Sequence, residues 1–107
     1  GLNGLVFLAR ESDRLQAQQQ GRGVPVQGVL NFFRPVEYPD GSKANAQFNV
    51  VRLDLGAAFD GRMYWCEHLT PEHVWRPEWQ DHANGATGVA RVLLSVRDPA
   101  RQAALFT

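Results

Sequence analysis

The sequence predicts an α+β fold: one βαβββ module followed by the first strand and the helix start of a second module. Two observations predict it. Residues 1–69 show strand, helix, strand, strand and strand patterns in that order. The strand and helix pattern of the N-terminus then recurs near the C-terminus.

The first two elements are a short strand and a polar helix. The run GLVFLA, Gly4 to Ala9, has the length and apolar composition of a strand. Residues 10–20 are rich in helix formers, with Ser12 or Asp13 as N-cap and Gly21 available to end the helix. A helix is therefore expected directly after the first strand.

A hairpin follows the helix. Residues 24–38 and 48–55 carry β-branched and aromatic side chains, and Tyr38-Pro39-Asp40-Gly41-Ser42 lies between them. Proline fixes φ at the first turn position, and glycine accepts the positive φ that closes the turn. Residues 62–69, RMYWCEHL, read as the fourth strand.

The end of the chain resembles its beginning. When LVFLARESDRLQA is set beside VLLSVRDPARQAA, Arg10 aligns with Arg97 and Ala17 with Ala104. In the second copy Asp98 is a good N-cap and Pro99 suits the first helical position. We therefore divide the chain into a module (1–69), a connector rich in Trp, His and Pro (70–87) and the start of a second module (88–107), with a strand near residues 88–96.

Composition narrows the classes of partner. Eleven basic and eleven acidic residues balance, so the sequence lacks the charge excess that nucleic acids and anionic membranes select, and neither is expected as a partner. No apolar run reaches the ~20 residues of a membrane span, and the N-terminus does not resemble a signal peptide. A lone cysteine indicates a reducing cytoplasm. The small size, with a strand and helix stub lacking their own module, predicts a homodimer or another pairing of modules.

The connector carries the family resemblance. The segments CEHLTPEHVWRPEWQDHANGA, Cys66 to Ala86, and FFRPVEYPDGS, Phe32 to Ser42, resemble the bacterial glyoxalase-like domain proteins. These belong to the vicinal oxygen chelate superfamily of glyoxalase, bleomycin-resistance and dioxygenase proteins. The resemblance implies that two βαβββ modules pair, so that their curled mixed sheets enclose a cleft for a divalent metal or an organic ligand, with one helix on each outer face.

The metal that the resemblance implies has few candidate ligands here. Metal-dependent members place a His on the first strand of a module, and GLVFLA has none. Glu67 and His68 remain as metal candidates on the fourth strand, but successive strand residues point to opposite faces. A zinc site from the His residues and Cys66 has the spacing C-x-H-x4-H-x8-H, which matches no structural zinc pattern. The sequence therefore identifies no cofactor, and a divalent metal ion rests on the resemblance.

His68 is the candidate catalytic residue. As a neutral imidazole it can relay a proton near neutral pH or orient a substrate carbonyl. The alternative is that it bonds a backbone carbonyl or Thr70 and fixes the end of the strand. For Glu67 the alternative is an exposed sheet residue, and for Cys66 a small buried apolar residue is expected.

Aromatic and basic side chains supply candidate ligand contacts. Trp75 and Trp79, four residues apart, either wall a pocket near His82 or plug the open end of the sheet. Arg34 either grips an anion or pairs with a nearby acid. The candidate ligand-binding residues are Arg34, Phe33, Tyr64, Trp75, Trp79 and His82.

Three functions remain open at this point. The first is a small-molecule lyase, isomerase or dioxygenase-related enzyme that acts in a cleft between paired modules. The second is a metal-free binding or resistance module that sequesters an aromatic or amphipathic compound, which the missing first-strand histidines favour. In the third the chain is chiefly structural, and the active cleft belongs to another module.

Overall fold

A computed structural model describes residues 3–106 of the chain. Four strands and one long helix form the first module, and a short second helix lies near the C-terminus. The elements are β1 (Gly4–Leu8), α1 (Ser12–Gly21), β2 (Leu30–Glu37), β3 (Lys43–Arg52), β4 (Arg62–His68) and α2 (Pro99–Ala104). Short 3-10 helices lie at Gly56–Ala58, Pro71–His73 and Pro77–Trp79. The predicted α+β module with the order βαβββ is confirmed.

The strands form one mixed sheet in the order β1-β4-β3-β2. β1 runs parallel to β4, and the other neighbouring pairs are antiparallel. The β2–β3 hairpin closes where predicted: the N–H of Gly41 donates to the carbonyl of Tyr38, and Gly41 has φ +84°. β3 begins at Lys43, earlier than predicted, because every residue from Leu30 to Glu37 finds a partner across the hairpin. The sheet is uncurled, which corrects the curled sheet that the resemblance implied.

The N-terminus of α1 is capped from a distant strand. Glu11 precedes the helix with a left-handed backbone (φ 54°), and its N–H donates to the Glu67 carboxylate at 3.0 Å. The N–H of Ser12 donates to the other carboxylate oxygen at 2.9 Å. Ser12 is the first helical residue, so the predicted local cap is replaced by Glu67, which satisfies two backbone donors at once.

The core lies along the two central strands. Its buried apolar side chains come mainly from β3 and β4, the strands against which α1 packs. They are Ala9, Ala46, Val50, Val51, Met63 and Cys66. The end of β4, where the candidate residues lie, therefore adjoins the buried core.

Residues 88–106, predicted to begin a second module and called here the second-module segment, form one of the two predicted elements. The helix start is present as α2, where Asp98 accepts the N–H of Arg101 at 3.0 Å and Pro99 occupies the first position, as predicted. Residues 88–96 form no strand, and Val89 and Leu93 are more than four-fifths exposed. A strand needs a neighbour for its backbone hydrogen bonds, and this segment has none in the described chain. A groove of about 870 Å³ separates it from the start of β1, and Gln102 bonds the carbonyl of Ala58 across that region.

Within residues 3–106 no helix is long and apolar enough to cross a membrane.

Candidate functional site

The register of the sheet divides the candidate residues between two faces. Glu67 meets the N-terminus of α1, so α1 lies on the face that carries Glu67. Side chains alternate along each strand, and directly paired residues share a face. His68 therefore lies on the opposite face, which we call the open face. Its residues on the three antiparallel strands include Phe32, Arg34, Phe48, Val50, Tyr64, Cys66 and His68.

A row of four rings crosses the open face, from β2 to the connector. The rings of Phe32 and Phe48 stack with centroids 5.3 Å apart, and His68 meets Phe48 edge-on at 5.3 Å. The indole of Trp75 lies 5.4 Å from the imidazole of His68, with the two planes 22° apart. We call Phe32, Phe48, His68 and Trp75 the ring row. The row places four ring side chains in mutual contact along the open face, and Trp75 at its end is 55% exposed.

His68 is held by the connector. The indole N–H of Trp75 donates to Nδ1 of His68 at 2.6 Å. Burial lowers the pKa of His68 below its ordinary value, since desolvation disfavours the imidazolium. Thr70, the alternative partner considered from sequence, instead accepts the backbone N–H of Gln47 at 2.8 Å. His68 is thus a neutral imidazole near neutral pH, oriented by Trp75.

A cation lies at the other end of the ring row. The guanidinium of Arg34 lies 5.5 Å from the centroid of the Phe32 ring. Glu37, the acid three residues further along β2, lies 3.8 Å from Lys43 and does not pair with Arg34. Within residues 3–106, Arg34 has no acidic partner within 4.0 Å. Its exposed charge is available to an anion near Phe32.

Side chains of the connector contact Tyr38 at the tip of the β2–β3 hairpin. The Tyr38 hydroxyl hydrogen-bonds Nδ1 of His73, and both side chains are half-buried. The guanidinium of Arg76 lies 4.3 Å from the centroid of the Tyr38 ring and 5.5 Å from that of Trp79, and it pairs with Glu78. Because these residues flank Trp75 in the chain, their contacts hold the indole beside His68.

The remaining sequence candidates lie away from the ring row. Phe33 is on the face opposite Phe32 and is 61% exposed. Tyr64 is on the open face but pairs with Arg52, about 13 Å along β4 from His68 at ~3.3 Å per residue. Trp79 lies under Arg76, and His82 is exposed in a turn. The structure therefore brings Trp75 against His68, places Arg34 at the other end of the ring row and separates the remaining candidates from the row.

Within residues 3–106, no set of side chains fits a metal ion on its own. Glu67 and His68 lie on opposite faces, and both carboxylate oxygens of Glu67 accept hydrogen bonds from α1. Ser12, whose N–H bonds the carboxylate, lowers the pKa of Glu67 together with the Glu11 N–H and the Asn49 amide. Across residues 3–106 no three His, Cys, Asp or Glu side chains group as metal ligands do. Burial raises the pKa of the Cys66 thiol, which makes it a poor thiolate ligand.

Two members of the ring row were missed from sequence. Phe32 and Phe48 pair directly across the hairpin, and Phe48 pairs with His68 on the next strand. The available signal was the position of the turn. A tight hairpin at Pro39 to Gly41 fixes the register that places these rings on one face.

The sequence of the chain is similar to a known protein family over its whole length. The family model described as "Glyoxalase-like domain" matches residues 1–107. The chain belongs to the glyoxalase-like domain family. This membership agrees with the vicinal oxygen chelate superfamily and with the βαβββ topology of the sheet. No curated protein and no solved structure shows significant similarity to this glyoxalase-like domain. Membership of this family supports a fold that binds small molecules.

Proposed function

We propose that this glyoxalase-like domain binds an aromatic small molecule against the ring row on its open face. The ring row carries the proposal, because ring side chains in mutual contact across three strands and the connector form one aromatic cluster beside polar groups, with Trp75 exposed at its end. Ligand sites in proteins commonly combine such aromatic walls with few polar groups. Here Arg34 and His68 supply those polar groups.

The proposal favours sequestration over metal chemistry. Glu67 is occupied by the N-terminus of α1, so the fourth-strand carboxylate does not reach the open face. The ring row, in contrast, needs no metal to hold a planar compound. A metal-free binding or resistance role therefore fits these residues better than a dioxygenase role.

The test is a titration of the full chain with 2-naphthamide, a neutral bicyclic compound, followed by tryptophan fluorescence. Saturable quenching is expected, since Trp75 is 55% exposed at the end of the ring row. Trp75→Phe is expected to lose most of the quenching. Trp79→Phe, which changes a residue outside the ring row, is expected to keep it. Linear, unsaturable quenching would count against an aromatic site.

A lyase or isomerase activity is the second candidate function, and His68 supports it. A neutral imidazole whose Nδ1 accepts the Trp75 N–H presents Nε2–H, which can donate a hydrogen bond to the carbonyl oxygen of a bound ligand and so favour loss of a proton from the neighbouring carbon to buffer base. The test is hydrogen-deuterium exchange at the methyl group of 2-acetonaphthone in D2O, followed by NMR. Catalysed exchange that disappears in His68→Ala would establish this role of His68. Exchange at the rate of buffer alone would leave binding as the function.

We also propose that the second-module segment pairs with a second module, in a homodimer or another pairing of modules. The exposed apolar residues of the second-module segment support this proposal. Val89, Val92, Leu93 and Leu94 are each at least 45% exposed. Light scattering on the purified chain would test the homodimer: a mass of twice 12.0 kDa is expected, and a monomer at high concentration would oppose it.

A further inference from the structure

We propose that the site selects aromatic carboxylates, with His68 donating a hydrogen bond from Nε2–H to the carboxylate and Trp75 acting as the positioning residue that fixes this tautomer. The inference rests on the proposed function, because it needs a ligand on the ring row. It adds the ligand's charge and the direction of the hydrogen bond.

The tautomer follows from the donor inventory. The indole Nε1–H of a tryptophan can only donate, so Nδ1 of His68, 2.6 Å away, must present its lone pair. A neutral imidazole carries one proton, which therefore resides on Nε2. The pKa of His68, lowered by burial, keeps the ring neutral near pH 7. Trp75 thus turns His68 into a hydrogen-bond donor at its other nitrogen.

That donor is free for a ligand. Within residues 3–106, Nε2 of His68 has no hydrogen-bond partner, and the side chain is only half-buried. A group that meets Nε2–H must be an acceptor: a carbonyl, a phenolate or a carboxylate. A ligand that offers only donors would leave Nε2–H unpaired.

Charge decides among the acceptors. Arg34 places an unpaired guanidinium over Phe32, at the opposite end of the ring row. Neither Arg34 nor Nε2 of His68 is paired with an acid within residues 3–106. Hydrogen bonds to a charged acceptor are stronger than those to a neutral one. A carboxylate therefore fits these two groups best.

The ligand test compares 2-naphthoate with its neutral isostere 2-naphthamide by isothermal titration calorimetry near neutral pH. The full chain is expected to bind 2-naphthoate about tenfold more tightly, the effect of one charge-assisted hydrogen bond. His68→Gln, whose amide can place an N–H near the Nε2 position, should keep the preference. His68→Asn, whose amide reaches only the Nδ1 position, should lose it.

The tautomer test is long-range 1H–15N NMR of the imidazoles, which reports which ring nitrogen carries the proton. In the wild type, His68 should show a protonated Nε2 and a bare Nδ1. In Trp75→Phe, which keeps a ring but removes the N–H, both tautomers should appear and the preference for 2-naphthoate should fall. A merely structural role for Trp75 would leave the tautomer unchanged.

The outcomes separate the two proposals. Equal affinity for 2-naphthoate and 2-naphthamide would overturn the carboxylate inference and leave the aromatic site standing. A protonated Nδ1 in the wild type would overturn the role of Trp75 whatever the ligands do. Failure of both compounds to bind would overturn the proposed function and this inference together.

Discussion

Glu67 and His68 are adjacent in β4, and their side chains form hydrogen bonds on opposite faces of the sheet. Glu67 accepts two backbone N–H groups at the N-terminus of α1, whereas His68 accepts the indole N–H of Trp75 on the open face. The alternation of the strand thus separates a structural carboxylate from a ligand-facing imidazole.

The first prediction concerns the capping carboxylate. Glu67→Ala should lower the free energy of unfolding by about 1 to 2 kcal/mol, because two N–H groups of α1 lose their acceptor. Urea denaturation measures this loss. The control is Glu37→Ala, whose exposed carboxylate lies 3.8 Å from Lys43 and should matter little. Equal losses in the two variants would mean that Glu67 does not cap the helix.

The second prediction concerns acid. Hydrogen bonds from Ser12 hold the pKa of Glu67 below its ordinary 4.5, so the folded state binds this proton less readily than the unfolded state. The stabilisation by Glu67 is complete above pH 4.5 and is lost as the pH falls through the lower folded pKa. The difference in stability between wild type and Glu67→Gln should therefore shrink on acidification. A difference that is constant or grows toward low pH would contradict this sign.

The third prediction distinguishes the two faces of the sheet. Phe48→Leu should weaken 2-naphthoate binding by up to about tenfold, because the central ring of the row loses its aromatic contacts. Phe33→Leu, on the opposite face, is the matched control and should bind like the wild type. Calorimetry measures both. Weaker binding in Phe33→Leu alone would move the site to the face that carries Glu67.

The fourth prediction concerns the contact between hairpin and connector. Tyr38→Phe removes the hydroxyl that bonds His73 and should speed amide exchange in residues 71–76. It should also lower 2-naphthoate affinity, since Trp75 lies in that segment. Tyr64→Phe, at the far end of β4, should change neither. Hydrogen-deuterium exchange followed by mass spectrometry measures the amide exchange rates of the connector directly. Unchanged exchange in Tyr38→Phe would show that the contact between Tyr38 and His73 does not hold the connector.

Local patterns in the sequence were enough to predict the first module. Apolar runs of strand length, the Pro39 to Gly41 turn and the Asp98-Pro99 helix start depend on neighbours in the chain, and these elements form in the predicted order. The bounds of two strands were predicted less well, because β2 begins at Leu30, not at residue 24, and β3 at Lys43, not at residue 48. Because side chains alternate along a strand, the sequence of β4 also predicted that His68 and Glu67 lie on different faces of the sheet. The cap of α1 was not predictable in this way, because Glu67 is remote from Ser12 in sequence and reaches it only through the sheet.

The candidate site was predicted less completely, for the same reason. The candidates His68, Trp75 and Arg34 were selected by residue type. Which side chains lie beside them depends on how residues pair across strands, and composition alone does not give that pairing. Phe33 was favoured, whereas register puts Phe32 in the ring row. The strand near residues 88–96 depends on a neighbour that this module does not provide, so its pairing stays a prediction.

The most direct test of the account is a map of the bound ligand by NMR. 2-Naphthoate is titrated into protein labelled at the aromatic side chains, and the shifts of the Phe, His and Trp rings are followed. The account predicts saturable shifts at Phe32, Phe48, His68 and Trp75 and none at Phe33. Shifts at Phe33 without shifts in the ring row, or no saturable shift at all, would contradict it.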